Sequence, residues 1–220
     1  MLKVTAKANS NIALIKYWGK RDTSLNLPAV GSISITLDGL ATTTAVRFEL
    51  ELRTDQLNLN SKPADAQALK RVSNFLDIIR QESGIQIYAE VESENNFPTA
   101  AGLASSASAF AALATASAKA AGIVATANKL SEWARRGSGS AARSIFGGFV
   151  EMHKGHNADG SDSIAEPLAN KDFWDIRLLI AITSEQAKST GSTTGMKLSE
   201  KSSPYYPAWV DSAETDLAEM

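Results

Sequence analysis

Four short stretches of this sequence carry the residue types needed to hold phosphate or carboxylate groups. The first is Phe97-Pro98-Thr99-Ala100-Ala101-Gly102-Leu103-Ala104-Ser105-Ser106-Ala107, which runs into an alanine-rich segment. A small-residue loop that opens a helix presents unpaired backbone N–H groups and the positive end of the helix dipole, a setting that suits phosphate. Gly102 lets an anion come close to the chain. Ser105 and Ser106 can donate to phosphate oxygens or reach a magnesium ion. The same residues also fit a plain helix start with serine capping. The second stretch is Gly137-Ser138-Gly139-Ser140-Ala141-Ala142-Arg143-Ser144. It is too short to serve as a flexible linker between structured segments. As an anion-binding loop it has donors in Ser138 and Ser140 and a bidentate partner for carboxylate or phosphate in Arg143.

The third stretch gathers Lys16, Lys20 and Arg21 around Tyr17, Trp18 and Gly19. It is either a solvated turn or an anion pocket in which the aromatic rings bury the lysine stems and fix their heads. The fourth, from Lys188 to Met196, is either a low-complexity loop or another oxyanion-binding edge, with Ser192 and Thr193 in its centre. His153 and His156 have no partner spacing that suggests a metal site, and solvent exposure is expected for both.

These groups need elements to position them. Residues 3–15 read as extended. The alternation in Ser32–Leu37 and Val46–Leu52 predicts half-buried strands, and Leu57 and Leu59 continue it after a turn, which predicts a hairpin. Leu69, Val72, Phe75, Leu76 and Ile79 form one stripe of a helix over 64–82 that Gly84 ends, with Arg71 beside the stripe. A strand over 85–91 feeds the first loop, and a helix leaves it and runs to about Ala121, with Gly122 as its stop. A second helix covers 126–136. Phe149–Met152 reads as a strand, Ile176–Ile182 as a buried strand, and 204–220 as the start of a helix with Trp209 inward.

The bounds are ordinary. The 220 residues suffice for one large domain or two small ones and for a proper core. The net charge of −2 argues against a non-specific nucleic-acid binder. There is no cysteine, so disulfides, thiolate metal sites and cysteine nucleophiles are excluded. No signal-peptide core or membrane-length apolar run is present, and a cytoplasmic protein without a membrane partner is the expectation.

The stretch Pro98–Ala107 resembles the ATP-binding loop of the GHMP kinase superfamily. Asn11-Ile12-Ala13, Lys16-Tyr17-Trp18-Gly19-Lys20-Arg21-Asp22, Glu94-Asn95-Asn96-Phe97-Pro98, Gly137–Ser144 and Phe146-Gly147-Gly148 together resemble the diphosphomevalonate decarboxylase family. The similarity runs from about residue 5 to the end. It implies an α+β fold of the ribosomal-protein-S5-like type. It also implies ATP-dependent conversion of mevalonate 5-diphosphate to isopentenyl diphosphate, ADP, phosphate and carbon dioxide, with ATP and Mg2+ required and a homodimer as the assembly. The implied layout is a GHMP domain over 1–183 and the beginning of a C-terminal domain over 184–220.

By the same resemblance, Lys16 is the active-site lysine and Arg143 holds the substrate carboxylate. Tyr17, Trp18, Gly19 and Lys20 face the substrate, Lys20 and Arg71 its diphosphate. Ser138, Gly139, Ser140, Ala141 and Ala142 form a second substrate loop, and Ser192 and Thr193 supply substrate-contacting hydroxyls. The nucleotide takes Pro98, Ala101, Gly102, Leu103, Ala104, Ser105 and Ser106, with Ser106 near Mg2+. The family's Asp-Ala-Gly-Pro-type segment, whose aspartate engages the 3-hydroxyl, is absent from these 220 residues, which suggests a truncated chain. A GHMP small-molecule kinase without decarboxylation, such as a mevalonate 3-kinase, and an inactive binding fragment are the alternatives.

Overall fold

The computed structural model describes residues 2–98, 103–181 and 190–220. In chain order these form strands β1 (Val4–Ile15), β2 (Lys20–Asp22), β3 (Leu27–Pro28), β4 (Ser32–Glu49), β5 (Gln56–Leu59) and β6 (Lys62–Pro63), then helix α1 (Ala66–Ser83) and strand β7 (Tyr88–Asn95). Helices α2 (Ser105–Ala120) and α3 (Ala127–Gly137) follow, with a 3-10 helix over Gly139–Ile145. Strands β8 (Phe149–Met152) and β9 (Ala165–Ala169) and helices α4 (Ser192–Ser202) and α5 (Tyr206–Glu219) complete the order. The fold is α+β, as expected.

β4 organises the main sheet. It pairs antiparallel with β1 along its length, with β8 through Ser32–Ile35 and with β7 through Thr42–Glu49. The sheet order is β6-β5-β7-β4-β8-β9, with β1 also on β4. Helix α2 lies across β1 and β4. Its buried alanines, among them Ala107, Ala111, Ala114 and Ala118, carry no bulk and let the backbone approach the sheet closely. Phe48, Phe75, Leu76, Ile79, Val91 and Trp133 fill the space between the sheet, α1, α2 and α3.

Helix α1 matches its expected span because both ends carry clear signals. Asp65 accepts from the Ala68 N–H at 2.7 Å, and Gly84, at φ +73°, donates to the Arg80 carbonyl at 2.9 Å.

Two expectations fail for physical reasons. The hairpin to β5 does not form; β5 runs parallel to β7 instead. Asp55, just before β5, is buried, where its carboxylate accepts from the Arg80 guanidinium and from the Ala89 N–H at 2.8 Å. That anchor carries the chain past β4 to the far side of β7. The apolar run at 176–181 forms no strand; Leu179 is 99% exposed. Its alternation predicts burial only where a sheet edge receives it, and no described strand pairs with it; Ile182 lies outside the described residues.

The Asp55–Arg80 pair allows a stability test. Removing Asp55 takes the acceptor from the buried Ala89 N–H and leaves the Arg80 guanidinium, among the described residues, only one carboxylate partner, the exposed Asp77 at 2.6 Å. Asp55→Ala is expected to lower the unfolding free energy by about 3 kcal/mol or more, read from urea denaturation. An unchanged midpoint would show that the pair does not hold β5 in place.

Candidate active site

A cleft of about 1610 Å³ opens between α1, the start of α2, the 3-10 helix, the chain after β1, and α4 with α5. Asn11, Lys16, Tyr17, Trp18, Lys20, Arg71, Ser105, Ser106, Ser138, Ser140, Arg143, Ser192 and Thr193 all border it. All four anion-type stretches of the sequence therefore meet in one place. Gly139 and Ala104 also border it.

The charge balance of the cleft is one-sided. Among the described residues, Lys16, Lys20, Arg71, Arg136 and Arg143 line it against a single carboxylate, Asp65, which is spent on capping α1. Among the described residues no carboxylate forms an ion pair with any of these five cations. Cations gathered without acids favour a multiply anionic ligand.

Arg143 is the extreme case, at 1% exposed. Its partners are neutral: Ser34 Oγ at 2.9 Å from Nε, Ser32 Oγ on Nη1 and Asn11 Oδ1 at 3.4 Å from Nη2. Burial without a counter-ion pushes its pKa down to about 10, so it stays charged near neutral pH. Lys20 donates to Asn26 Oδ1 at 2.6 Å and Thr193 Oγ1 at 3.1 Å. Burial, then Lys197 and Arg71, hold it below the usual lysine range. Arg71 stacks over the Phe110 ring at 5.1 Å, and Lys16 Nζ donates to the Ala13 carbonyl at 2.8 Å. Tyr17 has a buried hydroxyl with no partner among the described residues; burial raises its pKa while Arg143 and Arg135 pull the other way.

Local backbone explains several of these placements. The N-cap of α2 is Ala104, in the left-handed region at φ +53°, with no side-chain cap. The serine-capping alternative is therefore not what the structure shows: the residue at the N-cap is an alanine, which has no side-chain acceptor. Ser106 Oγ lies 3.2 Å from Ser138 Oγ, joining the first two stretches. The second stretch is a 3-10 turn following α3 and not an open loop. A side chain on Gly139 would overlap the Tyr17 ring, so the glycine is what lets the two stretches touch. Ser192 and Thr193 occupy the first turn of α4, where the sequence suggested a loop.

Some expected site residues stand elsewhere. Ala141 and Ala142 are fully buried in the packing beneath the cleft and do not line it. Gly19 sits behind the lining, at φ +95° against the Tyr206 ring, and Pro98 and Leu103 are likewise not lining residues. Thr99, Ala100, Ala101, Gly102, Lys188 and Ser189 lie outside the described residues. His156 is exposed as expected, whereas His153 is half-buried between Glu151 at 3.3 Å and Glu166 at 3.0 Å. Asn26, Arg136, Tyr206 and Trp209, none of which lies in the four anion-type stretches, also border the cleft. Arg136 stands in the last turn of α3.

Comparison with known proteins decides the family. The model of the diphosphomevalonate decarboxylase-like N-terminal domain matches residues 8–165. The chain belongs to this family. Diphosphomevalonate decarboxylase of Homo sapiens is 45% identical over 217 residues, covering 91% of this chain and 54% of that protein. The crystal structure of mevalonate diphosphate decarboxylase from Staphylococcus aureus superposes with a TM-score of 0.87 at 43% identity, covering 99% of this chain and 65% of that one. The structure of MDDEF in complex with MVAPP, AMPPCP and magnesium gives a TM-score of 0.84 at 41% identity, with coverage of 99% and 66%. The chain spans about half the length of the curated decarboxylases it matches.

Proposed function

We propose that the protein decarboxylates mevalonate 5-diphosphate with ATP, giving isopentenyl diphosphate, ADP, phosphate and carbon dioxide. The observation that carries this reading is Arg143, a buried guanidinium on neutral partners at the wall of a cationic cleft. Family membership supports it, as does the relative whose structure holds MVAPP, AMPPCP and magnesium.

The tertiary 3-hydroxyl is a poor leaving group, so the γ-phosphoryl of ATP first goes onto it. Phosphoryl transfer asks mainly for positioning and charge neutralisation. The uncapped start of α2, with Ser105 and Ser106, suits the nucleotide phosphates, and Lys16 offsets charge on the transferring group. Magnesium takes oxygen ligands and keeps several waters. Ser106 offers a hydroxyl for it at the cleft wall, and the ion would screen the phosphate charges. The C3–O bond then breaks with its electron pair on the departing phosphate. The bond from C2 to the carboxylate breaks next; its electrons form the C=C bond and carbon dioxide leaves. Arg143, with Ser138 and Ser140, holds that carboxylate in line, while Lys20 and Arg71 take the diphosphate beside Tyr17 and Trp18. Ser192 and Thr193 close the substrate side, and Gly19, Gly139, Ala141 and Ala142 act through backbone and packing. Pro98, Ala101, Gly102, Leu103 and Ala104 belong with the nucleotide loop.

The same reading makes the protein a cytoplasmic homodimer acting on small molecules, with residues 1–183 as the GHMP domain and 184–220 opening a second one. Among the described residues no helix is long and apolar enough to cross a membrane.

Lys20 gives a pH test. An anion binds the charged lysine, so affinity is complete below its lowered pKa and falls as pH rises through it. Titration calorimetry with mevalonate 5-diphosphate is expected to show this fall below the ordinary lysine range. Lys20→Arg keeps the charge and moves the fall to higher pH. Identical profiles for the two proteins would remove Lys20 from the diphosphate site.

A further inference from the structure

The alternation Ser32-Ile33-Ser34-Ile35 predicts a strand with a polar face toward solvent, yet both faces are buried. Ser32 and Ser34 are 0% exposed, as closed to water as the isoleucines between them. Arg143 covers their face. Its Nε–H and one Nη1–H end on the two serine hydroxyls of β4, and Nη2 reaches Asn11 on β1. The other Nη1–H faces Met152 Sδ at 3.7 Å.

We propose that Ser32 and Ser34 are positioning residues that aim Arg143 at the substrate carboxylate without neutralising it. This rests on the reading of the cleft given above. An arginine has five N–H donors. Four are met by a serine pair, a thioether and an amide, all uncharged, and among the described residues one Nη2–H remains. Two serines in register on a central strand fix the plane of the guanidinium, because β4 is hydrogen-bonded on both sides and cannot shift. Neutral acceptors leave the positive charge intact. A carboxylate at either position would form a buried ion pair and close the site to an anionic ligand. Alanine in place of either serine removes the acceptor and would let the guanidinium swing away from its line. Serine is the small residue that meets both demands: it accepts a hydrogen bond in a fully buried space and carries no charge.

The test is titration calorimetry on the 220-residue chain, with mevalonate 5-diphosphate and, separately, Mg-ATP. The Ser32→Ala/Ser34→Ala double variant is expected to bind mevalonate 5-diphosphate about tenfold more weakly or worse, the scale of losing hydrogen bonds to a charged group. Its Mg-ATP affinity is expected to stay within about twofold, because the nucleotide side is untouched. Ser34→Thr keeps the hydroxyl and restores binding. Ser34→Asp supplies a second readout should the double variant not fold: it raises the melting temperature by pairing with Arg143 and abolishes mevalonate 5-diphosphate binding. A double variant that binds as the parent does overturns the proposal. So does one that loses both ligands equally, or a Ser34→Asp protein that still binds. A parent chain that binds Mg-ATP but not mevalonate 5-diphosphate overturns the reading of the cleft itself, and the proposal with it.

Discussion

Replacing Arg143 with glutamine is expected to cut turnover by about a thousandfold, the scale of removing a preorganised charged donor from a dry site. Mevalonate 5-diphosphate affinity falls with it, and Mg-ATP affinity holds. The asymmetry follows from placement. Arg143, within the 3-10 helix, borders the cleft beside Ser138, Ser140 and Asn11, whereas the nucleotide is proposed to sit at the start of α2. The substitution has a second signature of opposite sign. A cation buried on neutral acceptors costs stability in the absence of a ligand. Arg143→Gln should therefore melt at a higher temperature than the parent when no substrate is present, and gain less from adding it. Equal losses of both ligands, or a lower melting temperature with full activity, would deny Arg143 its place on the carboxylate.

Lys16→Met is expected to lower turnover by roughly a hundredfold to a thousandfold with mevalonate 5-diphosphate affinity held within a few-fold. Methionine keeps the length and apolar stem of lysine and removes the charge. Lys16 Nζ rests on the Ala13 carbonyl and has no carboxylate partner among the described residues, so its charge is available to a transferring phosphoryl group. ADP and carbon dioxide should fall together, because phosphoryl transfer precedes loss of the carboxylate. Rate recovery in Lys16→Arg would confirm that charge is what matters. Unchanged turnover in Lys16→Met would sink the assignment.

Much of this was legible in the residues. The stripe and caps of α1 could be read directly because Asp65 and Gly84 mark its ends. The four anion-type stretches could be picked out singly, since hydroxyls, glycines and cations at close spacing have few other uses. Their meeting in one cleft could not, because it depends on β1, α1, the 3-10 helix and α4 converging from distant parts of the chain. The serine face of β4 was misread for a related reason. Alternation shows which residues share a face, but not whether solvent or a buried guanidinium covers it. β5 went to the wrong neighbour because the choice between β4 and β7 is made by Asp55, whose partner Arg80 sits 25 residues later. The apolar run at 176–181 shows the same limit from the other side: a strand pattern without a receiving edge makes no strand.

Whether this cleft belongs to an ATP-dependent decarboxylase is decided by paired product release. Mg-ATP and mevalonate 5-diphosphate would be supplied to the 220-residue chain and to a form carrying the relatives' remaining length, with ADP and carbon dioxide followed together. The account predicts one carbon dioxide for each ADP in the longer form, with both lost in Arg143→Gln. ADP without carbon dioxide would contradict it and make the protein a small-molecule kinase.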